Sequence, residues 1–373
     1  WTSLALSQSP HNLPILHLGQ LAGPTTVSGA IVLVNGLIAE AFLAFNHNRR
    51  HAKLLPRIWQ ALPYFGSAIA SIIILHLIGS NLADRPVVNT NESSLKIGII
   101  QGNVGNEVRH YQSGYDLAIE NYTRGYIELA EQGVDAVITP ETAFPYRESQ
   151  IKRTPFYQTI LDQKVTAFIG GFGEKNGKLT NSILIIDGEG NIISRYDKWK
   201  LVPLGEYIPF EQFLGKFIDT ISPLDSHLKA GKFAPLITTP IGNIIFGICY
   251  DSAYPEHFRR QAQTGELIVI ASNDAHYGIA MPAQHHALDL MRSIETDRWT
   301  VRASNTGYSA IIDPHGRTQW ISKLNEFAAH AHRVYRRNTQ TLYVRFGNWL
   351  TPLLLVIGLI LCILHSPSIK SES

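Results

Sequence analysis

The chain has only two cysteines in 373 residues, Cys249 and Cys362, and the second lies inside an apolar run near the C-terminus. That pattern excludes a disulfide framework and every Cys-based metal spacing. Charge is sparse as well: 17% of residues are charged, the formal net charge is +2 and the pI is near 8.4. Without a basic patch interleaved with aromatics, a nucleic-acid partner is excluded. There is no internal repeat and no low-complexity linker. The fifteen histidines show no ligand pattern, because His285 and His286 are adjacent on an expected helix and point to different faces. No metal and no other cofactor is expected. The sequence begins at Trp1 with neither Met nor a signal sequence.

What the chain has in quantity is apolar surface, 45% of its residues. Ser28 to Phe45, Ala61 to Asn81 and Phe346 to Leu364 are each about the length that crosses a bilayer as a helix, roughly 20 residues. Leu353 to Leu364 has no polar face, which an amphipathic core helix would need. The expected layout is therefore a membrane region over residues 1–84 with two transmembrane helices (about 28–45 and 61–81), a water-soluble domain over 85–345, and a last membrane helix with a short tail over 346–373. The loop from Asn46 to Arg57 carries Arg49, Arg50, Lys53 and Arg57, and the positive-inside rule places it in the cytoplasm, with the domain on the outer side. Arg333, Arg336, Arg337 and Arg345 pull the other way, but large domains translocate with little regard to charge.

Inside the domain, short β-branched runs alternate with turn signals and helical periods. Leu95 to Ile100, Val134 to Ile138, Thr166 to Gly170, Ser182 to Ile186, Ile244 to Ile248, Leu267 to Ala271 and Thr300 to Ser304 read as strands. Asp187 to Asn191 reads as a hairpin turn. Tyr115 to Gln132 and Pro282 to Trp299 read as amphipathic helices. The class is α/β, with helices outside two sheets.

Three polar residues punctuate this pattern where strands should end: Glu141 in Thr139-Pro-Glu-Thr-Ala-Phe-Pro145, Lys198 in Tyr196-Asp-Lys-Trp-Lys-Leu-Val-Pro-Leu-Gly-Glu206, and Cys249 in Asn243-Ile-Ile-Phe-Gly-Ile-Cys-Tyr-Asp251. A thiol is mostly protonated at neutral pH, so a carboxylate must take its proton and a fixed cation must favour first the thiolate and then an oxyanion. Glu, Lys and Cys fill those roles in Cys-dependent acyl transfer. Tyr250 follows the thiol, so its backbone N–H is placed to assist Lys198 at the oxyanion. Between residues 207 and 231, Phe210, Phe213, Leu214, Phe217, Ile218 and Ile221 form an amphipathic stripe that either packs on the domain's own core or dips into the outer lipid leaflet.

These three segments resemble the Glu-Lys-Cys triad of the nitrilase superfamily. Within it, Lys198-Trp-Lys-Leu-Val-Pro-Leu-Gly-Glu-Tyr-Ile-Pro209, Ser272-Asn-Asp-Ala-His-Tyr-Gly278, the Gln284 to Glu295 helix and Arg302-Ala-Ser-Asn-Thr-Gly307 resemble the bacterial apolipoprotein N-acyltransferases. The resemblance implies a nitrilase-like αββα sandwich inserted between transmembrane α-helices, with Glu141, Lys198 and Cys249 catalytic. It implies a supporting carboxylate at Glu206 that positions the amine. It also implies a multi-pass protein of the bacterial inner membrane, with its catalytic domain on the periplasmic side and further membrane helices ahead of Trp1.

The reaction it implies is phospholipid-dependent N-acylation of the amino-terminal diacylglyceryl-cysteine of an apolipoprotein, through a thioester on Cys249. The partners are then a phospholipid donor, a diacylated apolipoprotein acceptor and the bilayer itself. The sequence departs from the family pattern at Asp251, usually Glu; at Ala275-His276-Tyr277-Gly278, usually Trp-Phe-Gly after Asn-Asp; and at His110, where a Trp is usual. His110, His276 and Tyr277, with Phe210, Phe213 and Phe217, are the expected substrate contacts, and Asp251 is expected to support the triad with Glu206 and Tyr250. A membrane-tethered amidase and a non-catalytic lipoprotein-binding protein are the rival readings.

Overall fold

The structure is a computed structural model that describes residues 3–46, 54–87, 90–105, 107–108, 111–209 and 228–365. Its contacts divide the chain into two compact units, Pro86–Gln340 on one side and Thr2–Arg85 with Thr341–Ser373 on the other.

Among the described residues, the first unit holds twelve strands: β1 Ser94–Gln101, β2 Ala136–Ile138, β3 Thr166–Lys175, β4 Lys178–Ile186, β5 Ile192–Asp197, β6 Ile237–Thr239, β7 Gly242–Ile248, β8 Leu267–Ser272, β9 Thr300–Ser304, β10 Ala310–Ile312, β11 Thr318–Ile321 and β12 Ala328–Tyr335. They form two six-stranded sheets, in the orders β12-β1-β2-β3-β4-β5 and β11-β10-β9-β8-β7-β6. In the first sheet β1, β2 and β3 run parallel, and in the second β7, β8 and β9 do. Each parallel set carries antiparallel partners on both sides.

Strand alternation explains the layers. Ile97, Ile99, Ile138, Phe168, Ile183 and Ile185 of the first sheet meet Ile244, Phe246, Ile248, Val269 and Val301 of the second in one buried core. The alternate positions Ile100, Val137, Ile169, Leu184 and Ile186 face outward. There they pack with Tyr122, Tyr126 and Leu129 of the helix Gln112–Glu131 and with Phe156 and Ile160 of the helix Pro155–Gln163. On the second sheet the outer cover comes from the helices Pro255–Gln261 and Ala280–Thr296, the latter turning Leu290, Met291 and Ile294 inward. The result is the expected αββα sandwich.

The seven expected strands all appear, Thr300–Ser304 with the expected ends and the other six with shifted ones. Five were not anticipated. β5, Ile192-Ile-Ser-Arg-Tyr-Asp197, carries charge because Arg195 pairs with Asp197 at 2.7 Å along its outer side. β6 and β10 are three residues long, too short for a period to register, and β11 is mostly exposed. The alanine- and histidine-rich β12 has little strand propensity and exists by pairing with β1 over eight residues.

In the second unit, the helices Pro24–Asn46 and Leu54–Ala83 are long and apolar enough to cross a membrane by length and composition, and their side chains are mostly exposed. At 23 and 30 residues they span about 35 and 45 Å. The third expected span is corrected. Phe346 ends a separate short helix, Leu342–Phe346; Gly347 turns with φ +66°; and a new helix of 16 residues begins at Leu350. Asn348 starts it by accepting from the Thr351 backbone N–H at 3.3 Å. The basic loop residues Arg49, Arg50 and Lys53 lie outside the described residues.

One close approach sets the end of β2. A Cβ placed on Gly170 of β3 would lie 1.8 Å from the Pro140 carbonyl oxygen, while the Gly170 N–H donates to Thr139 Oγ1 at 3.0 Å and its carbonyl accepts from Phe144 at 3.0 Å. Gly170→Ala is expected to destabilise the first unit by about 2 kcal/mol or more, as overpacked sites do. Thermal denaturation that leaves the midpoint unchanged would show that the strand end relaxes freely.

Candidate active site

Each candidate side chain enters from the end of a strand. After β2, Thr139 and Gly170 fix the chain, Thr142 takes a left-handed φ of +44°, and the Glu141 carboxylate is held by Asn181, Lys198 and the Asn273 N–H. After β5, the Lys198 N–H donates to the Asn181 carbonyl and its own carbonyl accepts from Gly231, both at 2.8 Å. After β7, Cys249 sits at φ +48°, on a sharp turn into the short helix Cys249–Ala253. A residue without glycine's freedom holds that conformation only where its surroundings over-determine it.

Asp251 supplies much of that determination. Its carboxylate accepts from the Ile248 N–H at 3.0 Å, the Lys200 N–H at 2.8 Å and the Tyr196 hydroxyl at 2.7 Å. The Ala234 N–H donates to His257 Nδ1 at 3.2 Å, which leaves Nε2–H to face the Tyr196 oxygen at 2.8 Å. Burial pushes Asp251 up to about 6 although Tyr196, Ile248 and Lys198 favour its charge. The aspartate thus ties the cysteine turn to the lysine loop from behind.

Glu141, Lys198 and Cys249 are 7%, 1% and 4% exposed and line one cavity of about 790 Å³. Lys198 Nζ donates to Glu141 Oε1 at 2.9 Å and to Glu206 Oε1 at 3.0 Å. Asn181 Nδ2 donates to the same two oxygens, at 2.7 and 2.9 Å. The remaining carboxylate oxygens are held by backbone: Glu141 Oε2 by the Asn273 N–H at 3.0 Å, Glu206 Oε2 by the Val202 N–H at 2.8 Å. Burial alone would lower the Lys198 ammonium, but Glu141 and Glu206 beside it raise it well above its ordinary value. Burial pushes the Cys249 thiol far up, Glu141 adds to that, and Lys198 only partly offsets them.

The expected supporting and contact residues sort clearly. Glu206 joins the cluster, and His276 and Tyr277 line the cavity. The Tyr250 ring instead turns to Tyr254, whose hydroxyl donates to it at 3.1 Å, and Asp251 sits behind the cysteine turn. His110, Phe210, Phe213 and Phe217 lie outside the described residues. His285 and His286 do separate, towards Asp274 at 2.6 Å and Thr318 at 2.9 Å. Among the described residues, no three side chains of metal-binding type converge. Sequence reasoning missed Asn181 as a site residue. Its signal was an asparagine inside the apolar strand Lys178–Ile186, where that residue type is disfavoured.

The chemistry open to this arrangement is narrow. A thiol pressed toward its neutral form, with a carboxylate in the same pocket, loses its proton most easily to that carboxylate as a bond to carbon forms. A carbon-nitrogen hydrolase family model matches residues 96–329. An apolipoprotein N-acyltransferase from Nostoc is 51% identical over 355 residues, covering 95% of this chain and 69% of that protein. The chain belongs to the apolipoprotein N-acyltransferases. A Synechocystis member of that family is 43% identical over 96% of this chain and 69% of its own. The sandwich also matches two solved structures, the Caenorhabditis elegans NitFhit protein and an amidase from Nesterenkonia, each with a TM-score of 0.51. They are 18% and 17% identical, over 70% and 73% of this chain and over 65% and 100% of theirs, a likeness of fold. A member of this family is an enzyme, with a nitrilase-superfamily catalytic domain.

The burial of Cys249 makes a direct test. Alkylation by chloroacetamide at pH 7 should fall at least about tenfold in Glu141→Gln, and the residual rate should climb with pH, because the thiol then has to ionise into solvent. Equal rates at pH 7 would mean that the thiol ionises without Glu141.

Proposed function

We propose that this chain transfers an acyl group from a phospholipid to the amino-terminal diacylglyceryl-cysteine of an apolipoprotein, through a thioester on Cys249. The observation that carries this reading is the cavity itself. Thiol, carboxylate and ammonium share it with Tyr115, Pro145, Phe172, Leu179, Val202 and Leu228, an apolar lining suited to an acyl chain and oversized for a small amide.

In the first half-reaction Glu141 takes the Cys249 proton as sulfur attacks the ester carbonyl. Lys198 Nζ, with the Tyr250 backbone N–H, stabilises the oxyanion. The carbon–oxygen bond breaks, the departing lysophospholipid oxygen receives the proton from Glu141, and the acyl group stays on sulfur. In the second, Glu141 takes a proton from the acceptor's α-amino group as nitrogen attacks the thioester. The carbon–sulfur bond breaks, the amide forms and the proton returns to sulfur. Glu206 and Asn181 hold Lys198 and Glu141 in place throughout.

Cys249→Ala should abolish transfer, and Glu141→Gln and Lys198→Met should each lower it at least about a hundredfold. With phospholipid present and no acceptor, mass spectrometry of the wild-type chain should find a hydroxylamine-labile fatty acyl adduct on Cys249 that disappears when a diacylated lipopeptide with a free amine is added. Unmodified Cys249 together with steady hydrolysis of a small amide would favour the tethered amidase, and an inert pocket would favour the lipoprotein-binding protein.

The same proposal places the protein in the bacterial inner membrane as a multi-pass protein, with the catalytic unit on the periplasmic side. Support comes from the two long apolar helices and from the cationic loop between them, read by the positive-inside rule. The competing basic run is partly occupied within its own unit: Arg336 donates to the Glu92 carbonyl at 2.8 Å, and Arg337 pairs with Asp297 at 2.7 Å. In a Cys249→Ala, Cys362→Ala background, a cysteine replacing Lys175 or Lys178 should react with a membrane-impermeant reagent added outside intact spheroplasts, and one replacing His51 should not. The opposite pattern would invert the topology.

A further inference from the structure

Beside the catalytic cavity lies a second one, of about 380 Å³, whose wall includes Asn103, Glu107, Asp274, Tyr277, Thr306 and Asn325. Tyr277 lines both cavities, and the Asn273–Tyr277 segment contributes to the wall of each. Their chemistry differs. The first is walled largely by apolar side chains, the second largely by polar ones.

The polar cavity is built rather than incidental. Asn103 and Asn325 both adopt left-handed backbone, with φ of +52° and +55°. Both are pinned to one segment: the Asn103 N–H donates to the Asn305 carbonyl and the Asn325 N–H to the Thr306 carbonyl, each at 3.0 Å. Asn305 also clamps Val104 with its side chain, accepting at 2.9 Å and donating at 2.8 Å. Asparagine takes this backbone region readily, and here the two bonds to the Asn305–Thr306 segment hold both walls in one arrangement. Glu107 is directed by Gly105, since a Cβ there would lie 2.1 Å from Glu107 Oε1. The missing side chain lets the carboxylate fold over the backbone of that loop. Asp274 adds no free charge, because Arg302 at 3.0 Å and His285 at 2.6 Å pair with it.

A donor phospholipid and a diacylated acceptor share the need for an apolar cavity, but only the acceptor continues from its reacting amine into a polypeptide. That polypeptide needs a polar path starting within a few ångströms of the thioester. We infer that the second cavity seats the first residues of the acceptor polypeptide beyond its modified cysteine, and that Glu107 makes the site favour basic over acidic residues there. This inference rests on the transferase reading and adds the substrate contact that would discriminate among acceptors.

The test uses the full chain in bilayer discs of phosphatidylcholine, so that the lipid carries no net charge. Two synthetic S-diacylglyceryl-cysteinyl peptides serve as acceptors, one continuing in a short lysine-rich tail and one in a glutamate-rich tail. Acyl-enzyme formation and the KM for each acceptor are measured separately. The wild-type chain should show a KM for the lysine-rich acceptor lower by about threefold, the scale of one partly exposed charge pair, and the ratio should shrink as salt is added. Glu107→Gln should bring the two KM values together, and Glu107→Lys should reverse their order. Gly105→Ala should behave like Glu107→Gln, because the new methyl displaces the flexible carboxylate. None of the three should slow acyl-enzyme formation. If the thioester forms normally and the KM ratio is the same in wild type and Glu107→Lys, the second cavity does not read the acceptor and the inference falls while the transferase reading stands. If the wild-type chain forms no thioester, the transferase reading fails and this inference with it.

Discussion

The Lys198 ammonium, one of the least exposed charges among the described residues, lies between two carboxylates. Glu141 and Glu206 formally outweigh it by one negative charge, and burial first, then Glu141, keeps the nearby thiol protonated against the pull of Lys198. Passing the thiol proton to Glu141 leaves the total charge of the pocket unchanged, whereas releasing it to solvent would deepen the excess in a medium that solvates charge poorly. The cluster therefore favours internal proton movement over ionisation. Removing Lys198 would leave two carboxylates facing each other, and uncompensated buried charges of this kind cost about 3–5 kcal/mol. Asn181 and the Asn273 and Val202 N–H groups belong to the same arrangement, since they hold the carboxylate oxygens that surround the amine.

Behind the pocket a second ionic group stiffens the outer face of the second sheet. Arg302 on β9 pairs with Asp289 of the covering helix and, at 3.0 Å, with Asp274 beyond β8. Burial alone would raise Asp274, but Arg302 and His285 hold it down to about 2. A carboxyl held below its ordinary value stabilises the fold above that value, and the contribution is lost as pH falls through the folded-state value. The loop carrying Asn273, and through it Glu141, is thus anchored to a pair that only strong acid would release.

Much of this was legible in the sequence because it follows from period and position. Interior strands such as Ile244 to Ile248 and Leu267 to Ala271 are nearly uniform apolar runs, and Glu141, Lys198 and Cys249 interrupt the pattern where strands end. What escaped was structure that depends on partners far along the chain. β12 has little strand propensity of its own and is held by β1, more than 220 residues away in its register. Asn181 lies just ahead of the expected Ser182 to Ile186 strand, and nothing in the linear sequence shows that its amide faces two carboxylates arriving from loops on either side. Asp251 stands two residues after Cys249 in sequence and reads as a supporting carboxylate of the site, yet it is absent from the cavity wall and holds the turn from behind. A tight turn at φ +48° sends neighbouring side chains in opposite directions, and no linear pattern reports that.

The two-sheet core has a consequence for chemistry as well as for stability. Glu141, Asn181 and Lys198 are carried by the first sheet, and Cys249 and Asn273 by the second, so the sulfur and the groups that serve it are mounted on opposite halves of the sandwich. Their separation is set by the side chains that keep the sheets apart, among them Phe168, Phe246 and Ile248. The hydrophobic interior acts as the gauge of the reaction centre. A residue such as Phe246, buried between the sheets and remote from the cavity lining, bears on how closely thiol and carboxylate approach, and thinning that layer by one ring would change their spacing.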